Sequence, residues 1–216
     1  MPSCCDPASY GRIFSAKEAD RRLRDYRRGG PDRRAGDILD FAKSRGVRGK
    51  SVLEVGGGIG DLQVEFLKAG AANCVNVELS PEYEDAARRL LEDEGLDGRV
   101  ERKQGDFVTL AGDLAPADIV VLNRVICCYP HMAAMVGEAT LHTGELLALV
   151  VPRDGFIGRL FVGVANPSNR IRGCGFRAFL HPVEAIEARV VAGGLRRVHS
   201  SRDMIWQGMV FERTID

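Results

Sequence analysis

Apolar positions change their period along this chain, and the change divides it near residue 47. Before that point Leu23, Tyr26, Ile38, Leu39, Phe41 and Ala42 fall at helical spacing within Ala16 to Arg28 and Pro31 to Arg45, two stretches separated by "GGP". Two helices with narrow buried stripes are expected there. After it, short apolar runs alternate with amphipathic segments. "SVLEV" (51–55) and "CVNVEL" (74–79) read as strands, and "DLQVEFLKAG" between them as a helix ended by Gly70. "PEYEDAARRLLEDEG" reads as a helix that starts at Pro81 behind the cap residue Ser80 and stops at Gly95. "VERKQGD" (100–106) is a third strand and "DIVVLNRV" (118–125) a fourth, whose unbroken apolar character predicts burial on both faces of a sheet. "MAAMVGEATLH" reads as a helix and "ELLALVVP" as a fifth strand.

Such alternation implies an α/β fold with a doubly wound, mostly parallel sheet. The stretch "GFIGRLFVGVANPSNRIRGCGFRAFLHP" (155–182) is apolar, glycine-spotted and basic. It does not read as one element and is expected to be an insertion over the strand ends, covering the substrate. "VEAIEARVVAGG" reads as a helix. "LRRVHSSRD" and "MIWQGMVFERT" follow with no room between them for another helix, so they should pair as an antiparallel hairpin. The expected architecture is a seven-stranded sheet with an antiparallel last strand over 47–216, preceded by an N-terminal helical arm or cap over 1–46.

Composition narrows the function classes. At 216 residues, 45% hydrophobic and 28% charged, the chain can bury the core of one ordinary domain. Thirty basic and thirty acidic residues cancel, which gives no reason to expect a nucleic-acid partner or a general membrane-surface partner. Locally the balance differs: from Arg12 to Arg34 there are nine Lys/Arg against four acids. No run of roughly 18 apolar residues is present, and "MPSCCDPASYGR" lacks the apolar centre of a signal peptide. A cytoplasmic protein without stable membrane insertion is therefore expected. Of six cysteines, Cys4 with Cys5 and Cys127 with Cys128 are adjacent pairs, while Cys74 and Cys174 stand alone. They read as reduced thiols, and no C-x-x-C spacing supports a metal site.

The stretch carrying the chemistry is "VLEVGGGIGDLQ" (52–63). A strand running into glycines and then a helix places backbone N–H groups and a helix N-terminus at the carboxyl end of the sheet, where doubly wound proteins bind ligands. Glycine permits close approach and positive φ. Dinucleotides and adenosyl cofactors both fit that geometry. A dinucleotide fingerprint G-x-G-x-x-G from Gly56 needs glycine at 61 and finds Asp61; from Gly57 it needs glycine at 59 and 62 and finds Ile59 and Leu62.

The residues spell acid-x-G-x-G-x-G instead: Glu54, Gly56, Gly58 and Gly60. This resembles the first motif of the class I S-adenosylmethionine-dependent methyltransferases, which have a Rossmann-like fold. The resemblance covers residues 47 to 152 and implies S-adenosyl-L-methionine as cofactor. It implies that the glycine loop lies against the methionine part of the cofactor, with Glu54 orienting the amino group directly or through water. A buried carboxylate requires a partner. Glu78 ends the second strand, eighteen residues after Gly60, and is expected to accept the ribose hydroxyls, with Leu79 beside it. Asp106 is expected to bond the adenine amino group while Phe107 packs on the ring. Asp106 could equally cap the following turn.

The resemblance places the acceptor beyond the fourth strand, at "LNRVICCYPHM", where Asn123 and Arg124 leave the sheet first. Methyl transfer needs a base only when the acceptor carries a proton. Histidine suits that role in its ordinary titration range, so His131 is the candidate base and Tyr129 a candidate for orienting the acceptor. Packing of Tyr129 and Cys128 in the core, with His131 as a helix cap, is the alternative. The region, together with "YRRGGPD", is loosely similar to bacterial proteins grouped with the magnesium-protoporphyrin O-methyltransferases. An apolar small-molecule acceptor bearing acidic groups, paired by Arg27, Arg28, Arg170, Arg172 and Arg177, is consistent with this; a thiophile such as trivalent arsenic held by the cysteine pairs is another acceptor class. A non-catalytic adenosyl-binding protein and a nicotinamide-dependent oxidoreductase are the rival functions. Neither acceptor atom nor oligomeric state is legible.

Overall fold

The computed structural model describes residues 11, 13–171 and 176–214. Helices α1 (Ala16–Gly29) and α2 (Arg33–Ser44) precede the sheet. The order is then β1 (Ser51–Val55), α3 (Asp61–Lys68), β2 (Asn73–Glu78), α4 (Glu84–Glu94), β3 (Val100–Gln104), α5 (Phe107–Leu110) and β4 (Ala117–Asn123). It continues with α6 (Met132–Leu141), β5 (Thr143–Pro152), α7 (Phe156–Ile171), α8 (Val183–Ala192), β6 (Leu195–Arg202) and β7 (Trp206–Arg213). The seven strands form one sheet in the order β3-β2-β1-β4-β5-β7-β6. β1 to β5 are parallel, and β7 is antiparallel to both its neighbours.

The apolar run of β4 is buried on both faces. Val120 and Leu122 join Leu53, Leu149 and Phe211 under α6 and α8, while Ile119 and Val121 join Val52, Ala148 and Val210 under α2 and α3. The polar strand β3 takes the sheet edge, where Arg102 pairs with Glu84 at 2.8 Å, as suits an edge kept free of further pairing. At the other end Asp203 Oδ1 accepts from the N–H groups of Ile205 (2.8 Å) and Trp206 (2.6 Å), closing the β6–β7 hairpin as an Asx-type turn.

The two N-terminal helices do different jobs. α2 lays Ile38, Leu39 and Ala42 on the sheet as an ordinary layer helix. α1 starts at an N-cap, Ser15 Oγ accepting from Glu18 N at 3.4 Å, and stops at Gly30, whose φ is 75°. It buries Ala19, Leu23 and Tyr26 against Ile59, Tyr83 and Leu90, which sets it beside the carboxyl ends of β1 and β2.

Two expectations are corrected. Ser80 makes no side-chain cap bond: α4 is preceded by a 3-10 turn over Pro81–Tyr83, and the Ser80 hydroxyl instead donates to Phe14 O at 3.0 Å, tying down the start of the arm. The 155–182 stretch is not irregular throughout, since α7 occupies its first half despite Gly158, Gly163 and Pro167.

Candidate functional site

Gly56, Gly58 and Gly60 have φ of 63°, 60° and 82°, the left-handed region that side chains avoid. This turns the chain from β1 into α3 within five residues. Glu78, at the end of β2, fastens the loop: its Oε2 accepts from Gly58 N at 2.8 Å and its Oε1 from Ser80 N at 2.9 Å. Asp106, after β3, caps α5 through Oδ1, which accepts from Val108 N (2.8 Å) and Thr109 N (3.3 Å). Its Oδ2 accepts from the Tyr129 hydroxyl at 3.1 Å. The capping role and a cleft-facing role thus coexist on one carboxylate.

These groups surround a cleft that, with its open mouth, holds about 730 Å³ of empty space, within the usual range for small-molecule sites. Of the residues singled out by sequence, Gly56, Gly58, Glu78, Leu79, Asp106, Phe107, Asn123 and Tyr129 line it. Gly60 does not; its positive φ shapes the start of α3 from outside. Glu54 lies beneath the loop rather than in the wall, 2% exposed, with Asn76 Nδ2 donating to its Oε2 at 3.1 Å. Burial first, and then the Asp61 charge, push the Glu54 carboxyl up to about 8, against the opposing pull of Arg102 and Asn76. Gly57 acquires a purpose here: a β-carbon on it would run into the Glu54 carboxyl and the Asn76 amide.

After β4 the chain bends sharply. Arg124 has a φ of 62°, the sole positive value outside glycine among the described residues. It pairs with Asp32 at 3.1 Å and lies 5.9 Å from the Trp206 ring centre, which anchors the strained bend. Asn123 Oδ1 is buried without a protein partner. Cys128 lines the cleft with its sulfur 3.8 Å from that of Cys127. The Cys127 thiol beside it, and then burial, hold the Cys128 thiol well above the usual range and so neutral. His131 is exposed and lies outside the cleft wall, its ring edge-on to Tyr129 at 6.1 Å. Arg27 is engaged on the outer surface by Asp93, at 2.9 Å from its Nε. Arg28 and Arg177 are exposed. Cys4, Cys5, Arg172, Cys174 and the side chain of Arg170 lie outside the described residues.

The sequence reading missed the contribution of the first helix. Phe14 and Arg22 line the cleft with Tyr83, Val125 and Met135. Arg22 lies over the Tyr83 ring at 5.5 Å and against Gly58, steadied by Glu18 at 3.3 Å. The N-cap Ser15 marks where that helix starts, but no local signal says which face meets the cleft.

A family model for a methyltransferase domain matches residues 52–143. The ribosomal protein L11 methyltransferase of Edwardsiella ictaluri (strain 93-146) is 31% identical over 108 residues, covering 47% of this chain and 35% of the relative. The chain thus spans about a third of the length of the curated relative it matches. Among solved structures, the magnesium protoporphyrin IX methyltransferase from Synechocystis PCC 6803 with bound SAH superposes with a TM-score of 0.73 at 17% identity, covering 96% of this chain and 99% of that one. An O-methyltransferase family protein from Burkholderia thailandensis superposes with a TM-score of 0.65 at 20% identity, covering 83% of this chain and 56% of that one. Residues 52–143 thus match a methyltransferase-domain model, and the whole seven-stranded sheet has the fold of these solved methyltransferases.

Proposed function

We propose that this protein transfers a methyl group from S-adenosylmethionine to a small-molecule acceptor. The observation that carries this reading is the convergence of Gly56, Gly58, Glu78, Asp106 and Asn123 on one cleft from four separate strand ends. The cleft fits the donor. Left-handed glycines leave backbone where side chains would intrude, and the Asn123 carbonyl is a buried acceptor still in need of a donor.

When bound, the donor supplies an electrophilic methyl carbon on a sulfonium. The protein's part is then positioning and exclusion of water. Glu78 presents carboxylate oxygens whose remaining lone pairs suit vicinal hydroxyls, and Asp106 and Phe107 offer an acceptor and an apolar face for an aromatic base. Tyr129, held by Asp106, is the candidate in the cleft wall for orienting an acceptor molecule. Arg22 and Arg124 in the wall, each paired on one side with an acid, have further guanidinium N–H groups for an anionic partner, which suits an acceptor with an apolar body and acidic groups. The similarity to a protein named for magnesium protoporphyrin IX supports that acceptor class. The thiols of Cys74 and Cys127 suit a reducing, cytoplasmic setting.

Calorimetric titration with S-adenosylmethionine, S-adenosylhomocysteine and NAD tests the donor assignment. Binding of the two adenosyl ligands is expected; binding of NAD alone would refute the reading. Labelled methyl transfer into extract fractions then separates an enzyme from a non-catalytic adenosyl-binding protein, which would bind the donor and label nothing.

A further inference from the structure

Helix α7 presents an apolar face to solvent. Phe156, Ile157, Leu160, Val164 and Ile171 are 80%, 43%, 57%, 63% and 86% exposed. At about 100° per residue all five fall within a sector of roughly 100°, so this is one stripe and not a scatter of exposed residues. The opposite side of the helix is fixed to the protein. Gly158 packs against the Arg153 carbonyl and Leu180 with no space for a side chain. Asn166 clasps the Ala178 backbone with two bonds, donating to its carbonyl at 2.9 Å and accepting from its N–H at 2.8 Å. The stripe therefore points outward by construction. Contiguous exposed apolar surface of this kind marks an interaction site.

Charge selects the partner. From Gly155 to Val183 the sequence carries Arg159, Arg170, Arg172 and Arg177 and no Asp or Glu, although the chain as a whole is balanced. An apolar stripe within an acid-free and therefore net cationic segment has the chemistry of a helix that lies in the interface of an anionic bilayer, with its apolar side chains among the acyl chains and its cations at the headgroups. A second copy of this chain fits less well, since a two-fold contact would set this cationic segment against itself. No helix among the described residues is long and apolar enough to cross a membrane, so contact would be with the surface.

The neighbourhood adds a reason for such contact. The segment returning from α7 is hydrogen-bonded to the turn that lines the cleft: Phe179 N donates to Cys127 O at 2.7 Å, and His181 Nε2 lies 2.9 Å from Tyr129 O. We infer that α7 docks this protein on anionic lipid surfaces through its Phe156 to Ile171 stripe, which would hold the mouth of the cleft near the bilayer and give access to amphiphilic molecules dissolved there.

Co-sedimentation of the full chain with vesicles tests this, using phosphatidylcholine alone and phosphatidylcholine with one-third phosphatidylglycerol. Binding is expected to the anionic vesicles only, to fall several-fold as salt is raised, and to be lost in Leu160→Glu/Val164→Glu and weakened in Arg159→Glu/Arg177→Glu. Calorimetric binding of S-adenosylhomocysteine, or a melting transition like that of the unaltered chain should that ligand not bind, checks that each variant is folded. Three results would overturn the proposal: no vesicle binding by the unaltered chain, binding that folded variants retain, or a concentration-dependent dimer that Leu160→Glu/Val164→Glu dissociates while vesicles are ignored.

Discussion

Glu54 and Asn76 are register partners on neighbouring parallel strands, and the Asn76 amide donates to the Glu54 carboxyl at 3.1 Å. Both are buried, 2% and 0% exposed, directly under the glycine loop. The loop is therefore laid over a polar floor, and that floor holds a buried acid hydrogen-bonded by the Asn76 amide and the Gln63 backbone.

The first prediction follows from the direction in which Glu54 is shifted. Its carboxyl rises from an ordinary 4.5 to about 8 in the folded chain, so between those values the folded state keeps a proton that the unfolded state releases. Stability should accordingly be highest below about pH 4.5 as far as this group is concerned, decline as pH rises towards 8, and level off above it, a loss on the order of a few kcal/mol. Glu54→Gln should flatten that decline, read as melting temperature against pH. Parallel curves for the two proteins would show that Glu54 is ionised in the folded state.

Gly57 should be intolerant for packing rather than for backbone reasons. Its φ is not in the left-handed region, yet an added methyl would strike Glu54 and Asn76, so Gly57→Ala should cost roughly 1–3 kcal/mol in thermal or urea denaturation. Gly36, within α2 and facing open space, is the control: Gly36→Ala should stabilise by about 0.5–1 kcal/mol. Equal effects at the two sites would contradict the packing argument.

Glu78 is a fastener of the loop and a wall of the cleft at once. Glu78→Ala should weaken S-adenosylhomocysteine binding by roughly 1–3 kcal/mol, the scale of hydrogen bonds to a charged group, in a calorimetric titration. Unchanged affinity would remove the ribose assignment.

Tyr129 and His131 are separable by their positions. Tyr129 lines the cleft and bonds Asp106; His131 is exposed outside it. With a methyl acceptor in hand, Tyr129→Phe should lower turnover by about ten-fold or more. His131→Ala should lower it far less than the roughly hundred-fold loss expected for a general base. A large loss in His131→Ala, with one limb of the pH profile gone, would return the base role to His131.

The parts of the fold that were legible in the sequence are those specified by short-range pattern. β4 shows this well: each residue of "IVVL" (119–122) faces one of two apolar layers, so an unbroken apolar run is the direct signature of its place in mid-sheet. The glycines and the acids Glu78 and Asp106 were legible for a related reason, because strand ends and backbone conformation are local properties. Phe14 and Arg22 were not, since their place in the cleft wall depends on how α1 packs across Tyr83 and Leu90. Helix α7 was hidden by Gly158, Gly163 and Pro167, which argue locally against a helix. Gly158 is there because the helix approaches the Arg153 carbonyl too closely for a side chain. Asp106 illustrates a third case, where the helix-cap reading is seen in the bonds to Val108 and Thr109 while the same carboxylate also lines the cleft.

Phe14 rests edge-on against Phe176, ring centres 5.4 Å apart. During synthesis the glycine loop and the strand-end acids Glu78 and Asp106 leave the ribosome long before Phe176 exists. A nascent chain therefore holds Phe14 through Ser80 and Tyr83 while the aromatic contact from Phe176 is still missing. That wall of the cleft is completed only when the last third has been made.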